Sequence, residues 1–282
     1  MRKSVLWILL IVVGLMFTGG IFIHFFTPIS FFPVVEADNP PKFIQADFVE
    51  LDNVYSISKF RSGVGHDYSV HSDETCRSMK HYFSSMNSEK PNYKMGSKNT
   101  EWPMPIEGED VTIFSPVDGK IFKVDYNKKV AMGYDIFIIP DSQPKILIRL
   151  MHVAPIEGIK GGVKVIAGQK VGLVHANQSF DIAIDQIAIT KTSYISYFAA
   201  MQDSVFAKYQ ARGIKSRNDL IISKEYRDVH PLECQNNSEE FVENYADYPN
   251  ELEHMVHLSG FDETNKKIQT QWDEYKNNFN KN

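Results

Sequence analysis

The sequence predicts a mainly β domain of the α+β class, followed by a helical C-terminal segment and preceded by one apolar helix. Three observations predict this arrangement. Short runs of β-branched residues, broken by glycines, fill residues 110–187. Apolar residues then recur at helical spacing over residues 193–212. An apolar run without charge covers residues 5–26.

The N-terminal run sets the expected location of the chain. Arg2 and Lys3 precede residues 5–26, and a bilayer span needs about 20 residues. Positive charge on the short N-terminal side predicts that this end stays in the cytoplasm while the rest is exported. A cleaved signal peptide, with cleavage after Ala37, is the alternative. We therefore expect a single-pass membrane protein with an extracytoplasmic domain, or a secreted protein if the segment is cleaved.

Composition and charge argue against one class of partner. The chain has 282 residues, of which 43% are hydrophobic, so it can bury a sizeable core. Its net charge is -5, and acidic and basic residues are interspersed. Such a chain lacks the basic field that a phosphate backbone requires. We therefore expect no nucleic-acid partner.

The two cysteines, Cys76 and Cys234, suit an exported protein. Oxidising compartments allow a single long-range disulfide to persist, so we expect these residues to be bonded to each other. Two buried, unpaired thiols are the alternative. Neither cysteine has the paired spacing of a zinc site.

Composition divides the chain into five segments. The proline-rich stretch after the apolar run predicts an extended linker that holds the domain off the membrane. The charged, asparagine-rich C-terminus predicts a fraying tail. The segments are 1–26, anchor or signal; 27–42, linker; 43–190, β domain; 191–261, helical extension packed on that domain; and 262–282, tail.

Turn residues mark the strands of the β domain. Residues 110–124, DVTIFSPVDGKIFKV, predict a hairpin with a Pro-Val-Asp-Gly turn. Further strands are expected over residues 134–139, 146–151 and 180–187. Glycine pairs within residues 159–172 suit tight turns between very short strands. After residue 193 we expect a helix that ends before Gly213, and short helices near Ser216 and Ser223.

Several polar residues lie on turns or strand ends of this β part. Two imidazoles and two carboxylates that converge on one rim could hold a divalent metal and activate a water molecule. Spacing alone does not establish that they converge. The candidates are His66, Asp67, His152, His175 and Asp181.

The order of four motifs resembles the core of the lysostaphin-type (LytM-like) zinc endopeptidases. The motifs are SPVDGKI, GYDIFII, LIRLMHV and IKGGVKVIAGQKVG, and the resemblance covers about residues 59–187. It implies the duplicated hybrid motif fold, an antiparallel β-sandwich. It also implies cleavage of peptide crosslinks in cell walls, with zinc held by two histidines and one aspartate.

The match to the motifs of that family is uneven. Asp67 falls at the position of the family's metal-binding aspartate, but Gly63 replaces the histidine of the same motif. His152 matches a catalytic histidine at a strand end. In the closing motif, Ser179 replaces the other catalytic histidine and Asp181 replaces the last zinc ligand.

Two functions remain open from the sequence. The first is a degenerate, membrane-anchored relative of these peptidases that binds a cell-surface peptide or glycan. The second is an active hydrolase with an unusual site, in which Asp67, Asp181 and His66 hold zinc or another divalent metal. In that case His152 or His66 is the general base, and Ser179 lies at the other catalytic position.

Overall fold

The computed structural model describes residues 28–85, 110–126, 133–174, 179–234 and 254–259, and it is mainly β. The strands are β1 Val54–Ser58, β2 His81–Ser85, β3 Val111–Phe114, β4 Gly119–Tyr126, β5 Tyr134–Pro140, β6 Leu147–Pro155, β7 Lys164–Val165, β8 Lys170–Val174, β9 Ser179–Ile187, β10 Thr192–Tyr194 and β11 Met255–His257. The helices are α1 Asp203–Gln210 and α2 Lys224–Val229, with 3-10 turns at Leu51–Asn53 and Arg217–Leu220.

Every pairing between these strands is antiparallel. The strand order is β11-β1-β2-β9-β6-β5-β4-β7; β10 pairs with β9, and β8 joins β3 to β6. This confirms the mainly β, antiparallel fold class.

Strand β9 separates an apolar core from a polar face. Phe180, Ile182 and Ile184 are fully buried in the main hydrophobic cluster. Because side chains alternate along a strand, Asp181 and Asp185 point to the opposite face of the sheet, where both are also buried. That second face carries the candidate site.

The prediction of a hairpin over residues 110–124 is wrong. Strand β3 pairs with β8, whereas β4 pairs with β5 and β7. The turn between β3 and β4 is hydrogen-bonded to the later glycine turn. The Ser115 N–H donates to the Gln169 carbonyl, and the Gly168 N–H donates to the Ser115 carbonyl. The Asp118 carboxylate accepts from the Ala167 N–H. These contacts keep β3 and β4 from pairing with each other.

The prediction of a helix over residues 193–212 is only partly correct. Residues Thr192–Tyr194 form β10, and the helix covers only Asp203–Gln210. Between them Ile195, Tyr197 and Phe198 are buried in the main core. The backbone N–H of Ile195 donates to Ile184 of β9, so packing on the sheet outweighs the helical spacing. The short helices expected near Ser216 and Ser223 are present.

Residues 28–42, which belong to the expected extended linker, contact the domain. The buried Gln186 side chain accepts from the backbone N–H groups of Val34 and Val35 and donates to the Val35 carbonyl. Asp38 pairs with Arg61 at 2.7 Å. Among the described residues, the hydrogen-bond partners of the Gln186 side chain lie in this segment, which explains why the segment is held.

The expected anchor, residues 1–26, and the expected tail, residues 262–282, lie outside the described residues. No helix within the described ranges is long and apolar enough to cross a membrane. The expected Cys76–Cys234 disulfide is confirmed, and it links positions 158 residues apart in sequence.

Candidate functional site

The polar face of β9 and its neighbours brings charged side chains together. Tyr82 of β2 and Met151 of β6 both lie opposite Asp181 in the strand registers. Arg149 of β6 lies opposite Ala183. Since residues two apart share a face, Lys80, just before β2, also lies on this side of the sheet. The face is therefore charged, and three of its charged residues, Lys80, Asp181 and Asp185, are buried.

Lys80 is at the centre of this face. Its ammonium nitrogen lies 2.5 Å from Oδ2 of Asp181 and 3.1 Å from Nε2 of His66. The rings of Tyr68 and Tyr82 flank it, with their centroids 4.9 and 4.6 Å away, as in cation–π contacts. Lys80 is 2% exposed and Asp181 is 0% exposed, so the pair is enclosed.

His66 turns a lone pair toward the ammonium. Its Nδ1 lies 2.9 Å from the backbone carbonyl of Asp67, which can only accept, so Nδ1 carries the proton. Nε2 is then the acceptor for the Lys80 N–H. The loop that holds His66 packs closely on β2 at Gly65, whose φ is +85°. A Cβ there would lie 2.1 Å from the Tyr82 hydroxyl, so this approach requires glycine.

His152 reaches the site from a β-bulge. The register between β5 and β6 shifts so that Met151 and His152 together oppose Asp135. His152 has a φ of +65°, an uncommon conformation for a residue with a side chain. Its Nε2 lies 3.2 Å from Oδ1 of Asp181. A Cβ on Gly133 would lie 2.8 Å from the His152 backbone, so a glycine there makes room for the bulge.

A second ion pair extends the site along the same face. Arg149 Nη2 lies 3.0 Å from Oδ2 of Asp185. Burial raises the pKa of Asp185, and the charge of Arg149 opposes that shift. Burial also raises the pKa of Asp135. The pKa of Tyr68 is raised well above its ordinary value by burial and by the charge of Asp185.

The remaining candidate residues do not join this cluster of charges. Asp67 Oδ1 accepts from the Ser69 N–H, the Ser69 hydroxyl and the Arg77 N–H, so it closes the loop. Ser179 begins β9 opposite Ser84. His175 lies outside the described residues. The structure thus brings His66, His152 and Asp181 together and gives Asp67 a role in the loop.

A zinc ion, which the family resemblance implies, does not fit this arrangement. Asp181 Oδ2 and His66 Nε2 would be two of its ligands, and both already face the Lys80 ammonium. A second cation at that point would meet like-charge repulsion in a buried setting. Within the described ranges, no group of three or more His, Cys, Asp or Glu residues is arranged to hold a metal.

Sequence reasoning missed Lys80, Arg149 and Asp185. A signal for them was present, because Asp181 and Asp185 are four residues apart on an otherwise apolar strand and therefore share a face. Buried carboxylates are usually paired with cations or hydrogen-bond donors, so two on one buried face indicate such partners. The sequence does not show which lysine and arginine supply them, since both partners come from other strands.

Comparison with known proteins identifies a structural similarity but no sequence match. No protein-family model matches the chain, and no curated protein sequence matches it. Among solved structures, it is similar to a chain from Ruminococcus gnavus ATCC 29149 named "putative glycyl-glycine endopeptidase lytM". The match covers 53% of this chain and 59% of the other, with 14% identity and a TM-score of 0.28. The match thus spans less than two thirds of that structure, and so low a TM-score does not establish a shared fold.

Proposed function

We propose that this chain is a non-hydrolytic relative of the lysostaphin-type peptidases that binds a cell-envelope peptide or glycan. The observation that carries the proposal is the position of Lys80. A metal-dependent hydrolase needs free ligand atoms for its ion and an open position for water. In this chain the ammonium of Lys80 faces both Asp181 and His66.

The polar face keeps features that a purely structural ion pair does not need. His152 holds a strained backbone conformation beside Asp181, and its side chain is 18% exposed. The Arg149 side chain is 25% exposed. Strained residues persist where the surrounding structure fixes them, and they cluster at functional sites. The partly exposed His152 and Arg149 are therefore our candidates for ligand contact.

The proposed location is the outer side of a membrane, with residues 1–26 retained as an anchor. The Cys76–Cys234 disulfide supports export, because such bonds persist in oxidising compartments. Cleavage after Ala37 would remove Val34 and Val35, the partners of the buried Gln186 amide. An unpaired buried amide is costly, so these contacts support retention.

The test uses the purified full chain in detergent, with insoluble cell-wall sacculi as the probe. We expect the chain to sediment with the sacculi, equally well with and without a chelator, and to release no new amino groups. Wall peptide release that depends on added zinc would contradict the proposal and favour the metal-dependent hydrolase.

Two variants make the binding test specific. Arg149→Gln and His152→Ala should reduce co-sedimentation at least about tenfold if these residues contact the ligand. Lys191→Ala removes an exposed lysine that pairs with Asp73 on the surface, and should bind as the wild type does. Equal binding by all three variants would sink the assignment of the polar face.

A further inference from the structure

We propose that three exposed apolar side chains near the end of β9 form a membrane-docking surface that rests on the lipid bilayer. This surface, which we call the apolar patch, consists of Phe31, Phe32 and Ile189. The inference rests on the location proposed above, in which residues 1–26 are retained as an anchor, and it adds the part of the domain that faces the lipid.

Backbone hydrogen bonds fix the apolar patch to the domain. Ser30 is buried, its N–H donates to the Ile187 carbonyl at 3.1 Å, and its carbonyl accepts from the Ile189 N–H at 2.8 Å. The Phe31 carbonyl accepts from both the N–H and the hydroxyl of Thr190. The segment that carries the two phenylalanines is therefore held beside the chain that follows β9, and the patch is preformed.

The side chains of the apolar patch are large and open to solvent. Phe32 is 68% exposed and Ile189 is 57% exposed, and Phe31 is exposed as well. Single exposed apolar residues are normal on a protein surface, whereas a group of them marks a site of interaction with a protein or a membrane. Here the backbone bonds bring three of them together.

The position of the apolar patch in the chain indicates a bilayer as its partner. Phe31 lies five residues after the apolar run 5–26, so at most about 18 Å of extended chain separates the two. An anchor that spans the membrane thus holds the patch next to the lipid headgroups, and this tether raises the effective concentration of the lipid. Apolar side chains at this level insert into the boundary between headgroups and acyl chains.

The charge beside the apolar patch also suits a lipid surface. The ammonium of Lys145 donates to the carbonyl of Ile29 at 3.2 Å, two residues before Phe31. A lysine at this place can attract lipid phosphates while its apolar stem lies along the patch segment.

Docking through the apolar patch would orient the candidate site. Asp181 lies six residues before the end of β9 at Ile187, which is about 20 Å along an extended strand. The patch follows that end of β9. Docking therefore leaves Asp181 and its neighbour His152 far from the lipid-contacting end, where a ligand of the cell envelope can reach them.

The experiment measures contact with lipid at single positions of the full chain, reconstituted in vesicles of phosphatidylcholine and phosphatidylglycerol. Phe32→Cys and Ile189→Cys are each labelled with an environment-sensitive fluorophore under non-reducing conditions, where Cys76 and Cys234 stay bonded. Ile166→Cys is the matched control, because Ile166 is exposed and follows β7, four strands away from β9 in the strand order.

Lipids that carry a nitroxide near the headgroup should quench the labels at positions 32 and 189 at least about threefold more strongly than the label at position 166. Equal quenching at all three positions would overturn the inference. Blue-shifted emission at position 32 without quenching by lipid would indicate a protein partner, such as a second copy of the chain, and would overturn it as well.

A second pair of variants tests whether the apolar patch itself causes the contact. With the label at position 189, Phe32→Ser should reduce quenching at least about twofold, because it removes apolar surface from the patch. Phe122→Ser changes an exposed phenylalanine on β4, at a distance from β9 in the strand order, and should leave quenching unchanged. Unchanged quenching in both variants would contradict the inference.

Flotation and sacculus binding separate this inference from the proposals above. A chain that floats with carbonate-washed vesicles but shows no quenching at position 32 overturns the docking surface alone. A chain that does not float contradicts both the anchor and the docking surface. A chain that is quenched as expected but does not sediment with sacculi contradicts the proposed ligand and supports the docking surface.

Discussion

Asp181 and Asp47 are both buried carboxylates, but the protein surrounds them in opposite ways. Asp181 contacts the Lys80 ammonium and the His152 imidazole. Asp47 instead accepts hydrogen bonds from the hydroxyls of Tyr197 and Tyr209, at 3.0 and 2.8 Å. Asp181 therefore has a contacting cation, whereas these donors to Asp47 are neutral hydroxyls.

The consequence for Asp47 is a large change in proton affinity. Burial raises its pKa from 3.8 to about 6, although the two tyrosine hydroxyls and the charge of Lys208 act in the opposite direction. The comparison teaches that hydrogen bonds alone do not offset burial of a carboxylate here. A contacting cation is the distinguishing feature of the polar face.

The largest expected effect tests the pair at the polar face. Lys80→Ala should lower the free energy of unfolding by about 3–5 kcal/mol, because it leaves the buried Asp181 carboxyl without its partner cation. Lys80→Met combined with Asp181→Leu should cost much less, since no unpaired charge remains. Urea unfolding under non-reducing conditions measures both. Equal losses in the single and double variants would mean that packing, not charge pairing, accounts for the effect.

The next effect tests the contrasting site. Between about pH 4 and pH 6 the folded protein binds a proton at Asp47 that the unfolded chain releases, so stability falls as the pH rises through this window. Asp47→Asn removes this decline and should stabilise the protein at pH 7 by up to about 3 kcal/mol, with no gain at pH 3.5. Urea unfolding at both pH values checks this.

The exposed Asp141→Asn is the matched control for that measurement and should change stability by less than about 0.5 kcal/mol at either pH. If Asp47→Asn destabilised the protein equally at both pH values, the hydrogen bonds from the tyrosines would outweigh the cost of the buried charge.

The smallest effect concerns backbone strain at two histidines, one on the polar face and one on the surface. His71 and His152 share a φ of 65°, but His71 is exposed whereas His152 contacts Asp181. His71→Gly should stabilise the protein by about 0.5–1 kcal/mol, because glycine adopts this conformation without steric cost. His152→Gly should gain less, since it loses the contact with Asp181. Thermal unfolding of both variants measures the difference, and an equal gain would show that this contact contributes nothing to stability.

The sequence was sufficient for the fold class and for part of the site. The β-branched runs broken by glycines predicted the antiparallel strands, and the expectation of export predicted the disulfide. Strand partners were harder to predict. The sequence of β3 and β4 resembles a hairpin, but the turn near Gly168 bonds to the segment between them and the two strands pair with other strands. Local pattern does not encode such long-range contacts.

The site shows the same limit. His66, His152 and Asp181 could be picked out as polar residues at turns and strand ends, and they do lie together. Lys80 could not be assigned, because its role depends on the pairing of β2 with β9. The bulge that aims His152 depends on the register between β5 and β6, which no local pattern reveals.

The central claim is that a lysine amine occupies the place of a metal ion. The most direct measurement is a crystal structure of the chain grown with excess zinc, with anomalous diffraction recorded at the zinc absorption edge. The account predicts no anomalous peak at this site, and electron density for Lys80 Nζ between Asp181 and His66. A peak within coordination distance of both residues, with the Lys80 side chain displaced, would contradict it.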